Sequence, residues 1–254
     1  GIAGMTRLTV ENRFIDYYRE STEIFRGMER IDQELGGTTP LDVVVDAPSG
    51  EPEEATEPEE FELPEEFRED SVESGITGRS FWLNSRRIPE VYRIHDYLDG
   101  LTETGKVVSV ATAMRILGQV DSDILRDDFL LSVVYRRLSP EVKEALFDPY
   151  MSEDGDQLRF AVRVFESDPD LHRTELIDTI RNDLVENFDL ARDQVNLTGM
   201  LVLYNNMLLS LYRSQILTLS AVFFAIMLAS VAFLTGNGIQ ANTVADAVET
   251  TFGV

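Results

Sequence analysis

The chain has 254 residues, a formal net charge of −24, 43% hydrophobic residues and no cysteine. Its size suits one large domain or two small ones with a packed core, and the missing cysteines exclude disulfides and thiolate metal sites. Lys106 and Lys143 are the only lysines, and so acidic a surface repels nucleic acid and anionic headgroups, whose phosphates need clustered cations.

No basic segment followed by an apolar run opens the sequence, so no secretory signal is read there. Residues 1–7 read as the end of a preceding membrane helix or linker. Leu8–Phe14 is predicted as a short strand. Thr22–Leu35 is predicted as an amphipathic helix, because Ile24, Met28, Ile31 and Leu35 recur at helical spacing. Ser21 or Thr22 caps its start, and Gly36-Gly37 ends it. Leu41–Val45 follows as a mostly apolar strand, the pattern of one covered on both faces. These three elements make a first βαβ unit.

Residues 49–80 change character. Twelve acidic residues and one arginine lie between Glu51 and Glu73, with Pro52, Pro58 and Pro64 among them. Such a segment buries too little apolar surface to offset its ordering entropy, so it reads as an extended, solvated insertion. Helices are predicted at Pro89–Leu98, with Val91, Ile94 and Leu98 inward, then at Asp123–Leu138 and Ser139–Phe147. Gly105–Gly118 reads as a short extended entry and a helix. Leu158–Phe165 alternates, with Leu158, Phe160, Val162 and Val164 on one side and Arg159 and Arg163 on the other. Thr174–Phe188 is a helix, and Gln194–Leu197 starts another strand. The expected architecture is α+β: two βαβ halves on a mixed sheet, with a helical insertion between them.

Ser214–Leu234 is 21 residues without a charge, the length that crosses a hydrocarbon core of about 30 Å. No Pro or Gly interrupts Met200–Leu234, so one helix is predicted through both segments. Residues 235–254 match no pattern and stay unassigned. Arg213 precedes the span and no Lys or Arg follows it, so charge does not orient it.

Candidate sites are few. His95 and His172 fall on different helices and read as surface or helix-end residues, with no convergent ligand set for a metal. Asn196-Leu197-Thr198 is read as a chance glycosylation match. No Ser/His/Asp order points to a nucleophile, so no catalytic, cofactor or metal residue is assigned and no enzyme activity is expected. Asn205, Asn206, Arg213 and Gln215 are polar residues on the helix entering the span. Asn205, Asn206 and Gln215 fit a substrate route or an inter-domain contact; the alternative is an interfacial belt with Tyr204 and Tyr212. Phe81 and Trp82 fit a lipid or substrate contact, or ordinary core packing.

Three blocks carry a resemblance: Glu11–Pro48 (ENRFIDYYRESTEIFRGMERIDQELGGTTPLDVVVDAP), Glu103–Thr112 (ETGKVVSVAT) and Leu197–Leu219 (LTGMLVLYNNMLLSLYRSQILTL). In this order they resemble a porter domain of RND-superfamily exporters, in the MMPL and Patched-like branch, between the seventh and eighth membrane helices. The resemblance implies residues 8–199 as an extracytoplasmic ferredoxin-like porter domain, with residues 200–234 continuing into the membrane. It implies proton-driven export of lipids or other hydrophobic cargo at a bacterial inner membrane. Implied partners are that cargo and the transporter's other domains, or further copies of the chain. The proton-relay acids of such exporters lie in membrane helices outside this sequence, and no residue here takes that role. The alternative expectation is a membrane-anchored binding protein or self-assembling subunit without transport of its own.

Overall fold

The computed structural model describes residues 14–48 and 80–253. The expected strand Leu8–Phe14 lies outside them except for Phe14, which opens a 3-10 turn, Phe14–Tyr17. The acidic insertion also lies outside, up to residue 79. The chain divides into two compact units, one of residues 11–205 and one that includes 206–254.

The first unit is built on a four-stranded antiparallel sheet: β1 (Thr39–Asp46), β2 (Thr104–Val108), β3 (Gln157–Val164) and β4 (Val195–Thr198), in the order β2-β3-β1-β4. Every neighbouring pair is antiparallel, so the expectation of a mixed sheet is corrected. The helices are α1 (Glu23–Glu34), α2 (Ile88–Asp99), α3 (Val110–Val120), α4 (Asp128–Arg137), α5 (Pro140–Leu146), α6 (Arg173–Asn187) and α7 (Met200–Phe252). The helix leading from β1 to its parallel mate β2 is therefore α2, so α2 belongs to the first βαβ half and not to the insertion expected from the sequence. The short entry at Gly105 is part of β2, an edge strand. Its five residues and a register shift between Thr104 and Lys106 hid the period-two signal.

One face of the sheet is apolar and covered. Leu41, Val43 and Val45 are buried on β1, as are the four predicted inward residues of β3. The opposite face is polar: Arg159 Nη2 lies 2.9 Å from Asp42 Oδ1, and Asp46 Oδ2 accepts from Asn196 Nδ2 at 2.9 Å. So β1 is not covered equally on both faces. Asp42 breaks its apolar run, and Val44 is only half-buried.

Caps set the helix limits. Thr22 Oγ1 accepts from Phe25 N–H at 3.3 Å at the start of α1. Gly36 and Gly37 end it with φ of 72° and 88°, a region that favours glycine. A Cβ on Gly37 would stand 2.8 Å from the Val164 carbonyl. The predicted helix Asp123–Leu138 is two elements, a 3-10 turn at Ser122–Leu125 and α4. Asp127 divides them, because its Oδ1 accepts from Phe129 and Leu130 N–H and starts a new helix. The apolar stripe of α1 stays largely open: Ile24 is 56% exposed and Ile31 52%.

Buried Asp32 holds α1 to the sheet. Its carboxylate accepts from Thr38 Oγ1 at 2.6 Å, Ser167 Oγ at 2.7 Å and Ser167 N–H at 2.8 Å. Replacing Asp32 with Ala leaves those donors unpaired. The expected loss is about 2 kcal/mol in chemical denaturation; an unchanged midpoint would remove this anchor.

The second unit holds most of α7. This helix is 53 residues long, or about 80 Å at 1.5 Å per residue. It is long and apolar enough to cross a membrane, and none of its most apolar window is buried inside the chain. It runs on past Leu234, where the sequence assigned no structure. Gly236 and Gly238 do not stop it, since an isolated glycine costs a helix only about 1 kcal/mol. Phe224→Arg places a charge near the middle of the apolar run, at a cost of roughly 2.5–3.5 kcal/mol on insertion scales. Membrane fractionation should show less of the chain in the membrane; equal insertion would argue against a spanning role.

Candidate functional site

The sequence candidates separate in space. Asn205 is buried, and its Oδ1 accepts from Thr174 Oγ1 on α6 at 3.1 Å, so it ties the start of α7 to the domain. Asn206, one position on, is exposed, as are Arg213 and Gln215. Asn205 and Asn206 thus face different surroundings, because successive helix positions are about 100° apart. Tyr204 and Tyr212 are half-buried.

Trp82 is a core residue, 1% exposed. Its Nε1–H donates to the Asp156 carbonyl at 3.1 Å, and Phe81 N–H donates to Asp156 Oδ1 at 3.0 Å. Ser80 Oγ donates to Gly155 O at 2.7 Å. These bonds fasten the segment before α2 to the turn before β3. Phe81 meets Trp82 edge-on at 4.8 Å and lies under the Arg87 guanidinium at 4.4 Å.

Behind Trp82 is a small cavity between α2, α3 and β3. It is lined by Trp82, Leu83, Ile88, Val91, Tyr92, Val110, Met114, Met151 and Leu158. Its volume is about 10 Å³, room for one water-sized sphere. A wider, open depression lies at Asp46, Ser152, Asp154 and Asp156. Its carboxylates already accept from Gln157, Ser152 and Phe81. Among the described residues no group of three or more His, Asp or Glu is placed to hold a metal.

Sequence places His95 at the surface or a helix end; the structure instead buries it, at 3% exposed. Its Nδ1 lies 2.8 Å from Ser109 Oγ, which also accepts from Ala111 N–H at 3.1 Å. Ser109 and Thr112 form a reciprocal capping box at the start of α3. With the imidazole neutral and its proton on Nε2, Ser109 O–H donates to Nδ1. Burial holds the His95 pKa below its ordinary value, the Arg115 guanidinium lowers it further, and Asp99 and Asp96 oppose that. His172 is exposed at the start of α6, as read.

Sequence marks neither the buried Arg173 nor the half-buried Tyr97 as a site of remote pairing. Arg173, 1% exposed on its side chain, reaches Glu166 Oε1 at 2.6 Å. Glu166 Oε2 also accepts from Thr39 Oγ1 at 2.9 Å. Tyr97 Oη donates to Asp183 Oδ2 at 2.6 Å, and burial, then this bond, raises its pKa. The Ser-x-x-Thr pattern at 109–112 was a legible sign of the cap. Nothing in sequence marks the remote partners of Arg173 or Tyr97. No family model matches the chain, and no curated protein matches it in sequence.

Proposed function

We propose that this chain is a porter domain of a proton-driven RND-type exporter of lipids or other hydrophobic molecules, with the membrane helix that follows it. The observation that carries the reading is where the three resembling blocks fall. Glu11–Pro48 covers α1 and β1, Glu103–Thr112 covers β2 and the cap of α3, and Leu197–Leu219 covers the end of β4 and the start of α7. Further support comes from the element order β1-α2-β2, then β3-α6-β4 after the insertion α3–α5. Together with the sheet order β2-β3-β1-β4, it supports the ferredoxin-like subdomain that the resemblance implies.

In this reading the domain is extracytoplasmic, and α7 anchors it in a bacterial inner membrane. The cargo is held by apolar contact and needs no reactive group. Because β1 lies between β3 and β4, the two halves interleave in one sheet. The working surface is then the one shared with a sister domain of the transporter.

The test is export of a fluorescent hydrophobe from cells expressing the complete reading frame. Expected is efflux that a protonophore abolishes, with lipid recovered by extraction and mass spectrometry of the purified protein. Lipid recovery without efflux would overturn the transport reading and leave a membrane-anchored binding protein.

A further inference from the structure

We propose that His95 and Ser109 form an acid-released latch on the apolar cavity behind Trp82, and that the released state admits small apolar molecules. The latch requires no transport activity and stands apart from the export reading.

The geometry joins the latch to the cavity. Ile88, Val91 and Tyr92 of α2 and Val110 and Met114 of α3 form most of the lining. His95 on α2 and Ser109 at the start of α3 join those same two helices at 2.8 Å. While they are joined, the cavity of about 10 Å³ is too small for any ligand, and apolar walls offer a water no partners.

Protonation changes the contact. An imidazolium donates from both ring nitrogens. Ser109 must then turn its own hydrogen away from His95 while still accepting from Ala111 N–H. The new charge also faces the N-terminus of α3, which carries roughly half a positive charge. Arg115 on α3 adds to the repulsion, while Asp96 and Asp99 on α2 oppose it. Asp96 is already paired with Arg115. Asp183 on α6 is engaged by Tyr97. On β2 and β3 the charged residues Lys106, Arg159 and Arg163 are exposed, alternating with the buried residues that meet the helices. A proton on His95 therefore sets α2 against α3, and separating the two relieves it.

The sign follows from linkage. A histidine whose pKa is depressed by folding binds fewer protons folded than unfolded. Its contribution is complete above the ordinary value of about 6.5 and is lost as pH falls from there through the depressed value.

Met114 and Met151 both line the cavity and report on it. The full chain, labelled with ε-13C-methionine and held in lipid nanodiscs, is exposed to xenon at about pH 8 and about pH 4.5, either side of that ordinary value. Expected at the higher pH is no change in either methyl signal. At the lower pH both shift with xenon, and the His95 ring signals titrate between the two. His95→Asn keeps an acceptor for Ser109 without titrating, and should exclude xenon at both pH values. Ser109→Ala opens the latch from the other side, and should admit xenon at both. The proposal is overturned by a wild-type xenon response equal at the two pH values, or by a His95 ring that stays neutral throughout. It is also overturned if His95→Asn keeps the wild-type pH dependence, or if Ser109→Ala still excludes xenon at about pH 8.

Discussion

Replacing Arg173 with Met is expected to cost the domain about 3–5 kcal/mol, because removing one partner of a buried ion pair leaves the other charge uncompensated. Arg173 opens α6 with a side chain only 1% exposed, and its partner Glu166, 13% exposed, follows β3. The pair thus joins the end of a sheet strand to the start of a covering helix. The Arg173 guanidinium also lies 5.7 Å from the centre of the Tyr204 ring at the start of α7. At the usual entropy of unfolding, the loss corresponds to a fall in Tm on the order of 10 °C. Circular dichroism of the full chain in nanodiscs measures it. The double variant Arg173→Met with Glu166→Gln removes the stranded charge and should recover part of the loss. No recovery would mean that Arg173 acts through packing against Tyr204 and its neighbours rather than through the pair.

Inserting Gly-Ser-Gly-Ser after Ser210 is expected to reduce export to background while leaving the Tm of the domain within a degree or two. The prediction follows from α7 as a single helix and from the export reading. A continuous helix transmits a tilt of the membrane span, whereas a flexible linker absorbs it. Ser210 lies past Asn205, the last position of α7 buried against the domain, so the insertion spares that packing. Efflux of a hydrophobic dye from energised cells is the measurement. Export at the wild-type rate would remove rigid coupling as the mechanism. A large loss of Tm would mean that the lower part of α7 stabilises the domain, and that its packing extends beyond Asn205.

Periodicity carried much of the fold. In β3 the strict alternation of Leu158, Phe160, Val162 and Val164 with Arg159 and Arg163 survives in burial, because a strand with one covered face has no other way to place those side chains. In α2, Val91, Ile94 and Leu98 are inward, as their spacing required. The uncharged run Ser214–Leu234 likewise needed no tertiary information. Where the signal was short or shared, it failed. β2 offers five residues, and its pairing with β3 is a non-local contact that a window of sequence does not contain. Asp127 looks like any surface acid until its carboxylate caps α4.

Composition, helix spacing, the Thr22 cap and the apolar run of α7 were determined by the sequence itself, since each depends on residues close together along the chain. Only the tertiary structure decided that β1 sits between β3 and β4, that α2 is the helix joining β1 to β2, and that α1 keeps its apolar stripe exposed. It also decided which polar residues are buried: Asp32 against Ser167, His95 against Ser109, and Arg173 against Glu166. Each of those is a charged or titratable group whose usual place is in water. What holds it inside is a partner brought alongside by the fold. Burying such a group without that partner costs more than the surrounding apolar contacts return.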